Sequence, residues 1–266
     1  MKRLIAALCS LLPLALLAAA VSAQSTPAPL TKKSPVETPK RVLFIGNSLV
    51  YYNGALQTHT HRIAAAATPP LIVRDGYKSV HITSAWLHHY PIDFLVKPEN
   101  VGFKEPFEIV VLAGSIQEAM TEADRARYRQ TVIRFDAAIR KAGAHTALLW
   151  LPAVVKPNAL AESDMYKLSE QMMLAVGNET GALVIPVAMA YQEAYLQRPG
   201  IRLQMGYDGS HPTLAGQYLA AAVVYGSLYG KSVVSNPYDY FGALDKDTKE
   251  FVQRVADETV RKFFGR

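Results

Sequence analysis

A chain of 266 residues with half its side chains hydrophobic can bury one large core, or at most two modest ones, so a single domain of catalytic size is expected. The formal charge of +6 includes Lys2 and Arg3 of an N-terminal leader. The surplus left after them forms no basic stripe interleaved with aromatic residues, which argues against nucleic acid as a partner. The single cysteine, Cys9, also falls in the leader, which excludes disulfides and thiol chemistry from the mature chain.

Taken in order, the chain begins with Lys2 and Arg3, an apolar run from Leu4 to Ala20, and the small residues Val21-Ser22-Ala23. That pattern predicts a signal peptide over residues 1–23, Gln24 as the new N-terminus, and export to the periplasm or beyond, with no membrane span left after cleavage. Pro13 interrupts the run, which is barely long enough to span a membrane. Residues 24–40 are rich in Pro, Thr, Ser and Lys, a composition expected of a flexible linker. From Arg41 onward short apolar runs alternate with longer amphipathic ones. Strands are expected at Arg41–Ile45, Leu71–Arg74, Glu108–Ala113, Thr146–Leu151 and Leu183–Val187. The clearest helix opens at Thr121 with Asp124 placed to cap it, carries Val132, Phe135, Ala138 and Ile139 at helical spacing, and stops at Gly143. Further helices are expected near Glu162–Glu179, Thr213–Tyr229 and Thr248–Phe264. Five strands joined through helices predict an α/β domain over residues 41–266, built on a five-stranded parallel, doubly wound sheet without internal repeats.

In such a sheet, ligands bind beyond the carboxyl ends of the strands, where strand order reverses. The first strand runs into Gly46-Asn47-Ser48, which sets a serine on that rim. Asn47 or Ser48 would equally serve as a helix cap there. Near the other end, "YDGSHPTLAGQYLAA" spaces Asp208 and His211 three apart in a turn, with Pro212 opening a helix. A carboxylate at that spacing can reach the imidazole, fix its tautomer and stabilise its positive charge while the ring leans on a nucleophile.

Taken together, "FIGNSL" and "DGSHPTLAG" resemble the first and last blocks of the GDSL or SGNH hydrolases, with Asn47 in place of the usual aspartate, and "GNSLVYYN" looks like an atypical bacterial branch of that superfamily. The resemblance covers Arg41 to Tyr229. It implies a flavodoxin-like three-layer α/β/α sandwich, with Ser48 as nucleophile, His211 as general base and Asp208 as the carboxylate that orients it. It implies an esterase, lipase or carbohydrate deacetylase that needs no cofactor or metal. A hydroxyl is a weak nucleophile at its own pKa, so it must stand where an imidazole can take its proton. The Ser48 amide can face the developing oxyanion.

The middle blocks depart from the pattern. The second has Ser84 where the family places a glycine whose N–H enters the oxyanion hole; the third has Gly114, Ser115 and Gln117 in place of Gly-x-Asn. A backbone N–H of Ser84 and the side-chain amide of Gln117 are the expected substitutes. Tyr51 and Tyr52 are expected either to line a substrate pocket or to serve packing. His59 with His61, and His88 with His89, lie at spacings that do not share a helix face, which argues against a metal. The expected function is an exported serine esterase acting on short acyl esters, including those on glycans. The competing reading is an inactive SGNH-fold protein that binds glycans or serves the cell envelope.

Overall fold

The computed structural model describes residues 27–72 and 76–266; the leader, residues 1–23, lies outside them. In chain order the elements are β1 (Val42–Gly46), α1 (Ser48–Tyr51), α2 (Leu56–Ala65), β2 (Tyr77–His81), α3 (Ile92–Leu95), β3 (Ile109–Leu112), α4 (Glu122–Lys141), β4 (His145–Leu149), α5 (Met165–Thr180), β5 (Leu183–Ile185), α6 (Val187–Gln197), α7 (Leu214–Tyr229) and α8 (Lys246–Phe264). All five strands pair in parallel, in the order β2-β1-β3-β4-β5. That is the flavodoxin-like order, and its switch point lies between β1 and β3.

Strand periodicity splits the core into two layers. Val42 and Phe44 of β1 face a cluster built with α2, α6, α7 and α8. Leu43 and Ile45 face the opposite cluster, with α4, α5 and the segment around Leu87 and Tyr90. With both faces covered, β1 and β3 are buried at every position, which explains their unbroken apolar runs. Each fully buried Leu, Ile or Val contributes roughly 1.5 to 3 kcal/mol. Helix α7 is buried from Gly216 to Tyr229, so it reads as apolar all round rather than amphipathic. The expected cap at Thr121 is present: its side chain accepts from Asp124 N–H.

Two expectations are corrected, and one helix is unexpected. The second strand is Tyr77–His81 and not Leu71–Arg74. As the sheet edge it has β1 alone as neighbour, and Tyr77 is its one fully buried residue. An edge strand mixes polar and apolar residues, whereas the apolar Leu71 and Ile72 follow α2 and pack on the core without joining the sheet; residues 73 and 74 lie outside the described ones. Residues 27–40, expected to be a loose linker, lie pinned along the domain. Leu30 N–H donates to Asn178, whose amide donates back to Ala28 O, and Tyr229 Oη donates to Pro39 O. Lys40 N–H meets the Glu108 carboxylate at 2.6 Å. Composition predicted no core for this segment, and it needs none, because its polar groups are satisfied on the surface of a finished domain. Helix α6 was not foreseen, since it follows β5 within two residues and continues that strand's apolar run.

Candidate active site

The site is assembled where β1 and β3 end. Gly46 closes β1, and a Cβ there would come within 2.6 Å of the Val50 side chain. Only glycine lets the chain turn this tightly into α1, whose first residue is Ser48. Asn47 takes both roles that its position allows. Its Oδ1 caps α1 by accepting Leu49 N–H at 3.1 Å, while Nδ2 donates to Ala85 O at 2.9 Å and Gly114 O at 3.1 Å. A neutral amide can do both at once, which an aspartate cannot. From behind, Gln217 of α7 donates to Val50 O at 2.8 Å and fixes the short helix.

Asp208 and His211 reach this rim from the loop before α7. Met205 N–H donates to His211 O at 2.8 Å and closes the loop, and Val155 N–H to Gly209 O at 2.8 Å ties it to the segment after β4. Asp208 Oδ1 accepts Ser210 N–H at 2.8 Å and His211 N–H at 3.1 Å; its Oδ2 stands 2.5 Å from His211 Nδ1. Burial works against its charge, but these hydrogen bonds together outweigh burial and hold the carboxyl below the usual aspartate range. An ionised Asp208 therefore takes the proton-bearing Nδ1, which leaves the lone pair on Nε2. That Nε2 lies 2.9 Å from Ser48 Oγ. Ser48, His211 and Asp208, separated by up to 163 residues in the chain, thus form one hydrogen-bonded line.

Both tyrosines adjoin it. The Tyr52 ring stacks on His211 with centroids 4.2 Å apart, and Tyr51 packs between Tyr52 and His81. Exposed Tyr207 extends this aromatic edge toward Tyr52. One feature of the site escaped sequence reasoning. Asn53 Nδ2 donates to Pro212 O at 2.6 Å, Asn53 O meets buried His59 Nε2 at 2.7 Å, and His59 Nδ1 meets Tyr238 Oη at 3.1 Å. This chain of contacts braces the residue next to His211. Burial lowers the His59 pKa, only partly offset by its bond to Asn53 O, so the ring is neutral within this chain. Among the described residues, no group of three or more His, Cys, Asp or Glu is placed to hold a metal ion.

The other expected donors are arranged less tightly. Ser84 is exposed, with φ of +58°, a conformation that glycine adopts freely and serine does not. Ser84→Gly is expected to raise stability by up to about 1 kcal/mol and to retain turnover, since a backbone N–H survives the change; thermal denaturation beside a kinetic assay checks both. Gly114 is buried at the end of β3, and Ser115 N–H is already committed to the Glu118 carboxylate at 2.6 Å. Gln117 lies exposed in the turn Ile116–Ala119.

No family model and no curated protein matches the sequence. Among solved structures the chain is similar to a DUF4886 family protein from Bacteroides uniformis, with TM-score 0.62 and 17% identity over 83% of this chain and 94% of that one. It is similar to a candidate SGNH hydrolase from Slackia heliotrinireducens, with TM-score 0.53 and 22% identity over 71% and 98%. It is also similar to Axe2, an acetylxylan esterase from Geobacillus stearothermophilus, with TM-score 0.52 and 16% identity over 71% and 94%. The chain has the three-layer fold of the SGNH/GDSL hydrolases.

Proposed function

We propose that this protein is an exported serine esterase that removes short acyl groups, acetyl foremost, from carbohydrate esters. The observation that carries the reading is the line Ser48 Oγ, His211 Nε2 at 2.9 Å, and His211 Nδ1 to Asp208 Oδ2 at 2.5 Å. In this reading Ser48 Oγ bonds the ester carbonyl carbon as its proton passes to His211 Nε2. The tetrahedral intermediate collapses, the C–O bond to the sugar breaks, and the departing oxygen takes the proton from Nε2. Water then attacks the acyl-serine with His211 again as base, releasing the acid and restoring Ser48.

Leu49, Ser210 and Pro212, the chain neighbours of Ser48 and His211, line a narrow cleft with Ile116, Leu149 and Leu151, and its mostly apolar walls suit a small acyl group. The acetylxylan esterases among the structural neighbours support a carbohydrate ester, and the leader supports export. Release of acetate from acetylated polysaccharides, with a fluorophosphonate labelling Ser48, tests the reading; turnover confined to long-chain lipids sinks the deacetylase assignment.

The committed Ser115 N–H and the exposed Gln117 favour the second reading, an inactive protein on the same fold that holds glycans or serves the cell envelope. Gln117→Ala separates the two. If its amide meets the oxyanion, kcat falls about 10²-fold, the low end for one such donor, because a long, mobile arm loses entropy on being held, and KM stays nearly constant. Unchanged kcat in a folded variant removes Gln117 from the reaction. A wild-type protein with neither labelling at Ser48 nor acetate release is the inactive relative.

A further inference from the structure

One carboxyl group beside the site has no role in the proposed reaction. Glu118 is 1% exposed and accepts from two backbone donors, one local and one distant, Ser115 N–H at 2.6 Å and Leu87 N–H at 2.9 Å. Gly114 leaves it the room: a Cβ there would lie 2.1 Å from Glu118 Oε2. The bond to Ser115 caps the short turn that Glu118 belongs to. The bond to Leu87 spans 31 residues and meets the first N–H of the short turn Leu87–His89; it couples the loop after β2 to the loop after β3. Asn47, next to Ser48, joins the same two loops through the carbonyls of Ala85 and Gly114. The loops are therefore tied twice, their carbonyls to the Asn47 amide and their amides to the Glu118 carboxylate.

We propose that Glu118 is a positioning residue, a latch whose carboxylate holds the Leu87 and Ser115 loops together beside Ser48 and so sets the backbone donors, Ser84 among them, for the oxyanion. Its catalytic consequence rests on the esterase reading above; its structural consequence does not. A carboxylate offers an acceptor oxygen to each N–H, whereas a protonated acid turns one oxygen into a donor. The latch is therefore closed when Glu118 is ionised and loosened when it is protonated. Burial raises its pKa to about 7; the Ser115 and Leu87 N–H groups and the Arg127 guanidinium pull it down, and Asp124 pushes it up. Tyr90 and Tyr128 also face it, and burial first, with Glu118 adding to it, raises both phenols above their ordinary values, so both stay neutral as Glu118 titrates.

Glu118→Gln keeps the shape but presents one N–H with a donor instead of an acceptor. It is expected to lower kcat about 10²-fold, the effect of a slight misplacement of catalytic groups, with KM little changed. In the wild type the titration of Glu118 adds to whatever the reaction itself requires, so log(kcat/KM) is expected to fall more steeply on the acid side than in Glu118→Gln. The deciding measurement needs no turnover: hydrogen exchange at the Ser115 and Leu87 amides, read by NMR and corrected for the intrinsic pH dependence. At least one of the two amides is expected to lose protection in Glu118→Gln, and in the wild type as pH falls from 8 to 6, a series that holds even if the variant misfolds. Unchanged protection in both experiments overturns the latch, whatever happens to kcat. Lost protection in a protein without Ser48-dependent hydrolysis keeps the latch and removes the esterase.

Discussion

Ser48→Ala is expected to lower kcat on a short-chain aryl ester by about 10⁴-fold or more, because no acyl-enzyme can form and only binding and any oxyanion donors remain. The fold should survive. Ser48 Oγ bonds to His211 Nε2, and the caps of α1 come from Asn47 and Gln217. Circular dichroism and thermal denaturation that match the wild type, beside an abolished rate, separate loss of the nucleophile from loss of structure. A variant retaining more than a few per cent of wild-type kcat would mean that another group attacks the ester, and Ser48 would then be no more than the first residue of α1.

Asp208→Asn is expected to cost about 10⁴-fold in kcat through the tautomer, the mechanism known for the buried aspartate of a serine triad. The amide can keep its oxygen toward Ser210 and His211 N–H, where Oδ1 now accepts both. Its NH₂ then faces Nδ1, which must become the acceptor, and the ring proton moves to Nε2, where it points at Ser48 Oγ. The base is occupied. Rotating the amide restores the ring contact but leaves the two backbone donors facing NH₂. A ¹⁵N NMR spectrum of the imidazole reports the tautomer directly; if Nδ1 stays protonated with kcat intact, the orienting role falls away.

The two carboxyl groups also give opposite pH dependences of stability. Asp208 is held below its ordinary value, so its contribution is present above the unfolded pKa and is lost as pH falls through the folded one. Glu118 is raised from 4.5 to about 7, so its neutral form favours the folded state; that stability is complete below 4.5 and is lost as pH rises through about 7. Compared with Glu118→Gln, the wild type should therefore lose stability between about pH 4.5 and 7, up to the pH at which the latch closes. Parallel stability curves for the two proteins across this range would show that Glu118 does not titrate there. If the curves diverge as expected, the group that orders the site does so at a cost in stability, a conflict common where function needs a buried charge.

The sequence by itself determined what depends on near neighbours along the chain. Full burial writes β1 and β3 as unbroken apolar runs, caps announce α4 at Thr121, and a glycine turn after a strand exposes Ser48. The three-residue spacing of Asp208 and His211 lets one loop bond itself in three ways. Those local rules, with the family resemblance, sufficed for the fold class, the strand order's family and the three residues that the structure draws into line. Tertiary structure alone decided the rest. The edge strand Tyr77–His81 owes its pairing to β1 rather than to its own mixed residues, and residues 27–40 are ordered by a surface that exists only once the domain has folded. Asn47 to Gly114 spans 67 residues, and Glu118 to Leu87 spans 31. No periodicity encodes such contacts, because loop closure brings together groups whose spacing along the chain is arbitrary. Glu118 looks in sequence like any acidic turn residue; only its burial against two backbone amides makes it a latch.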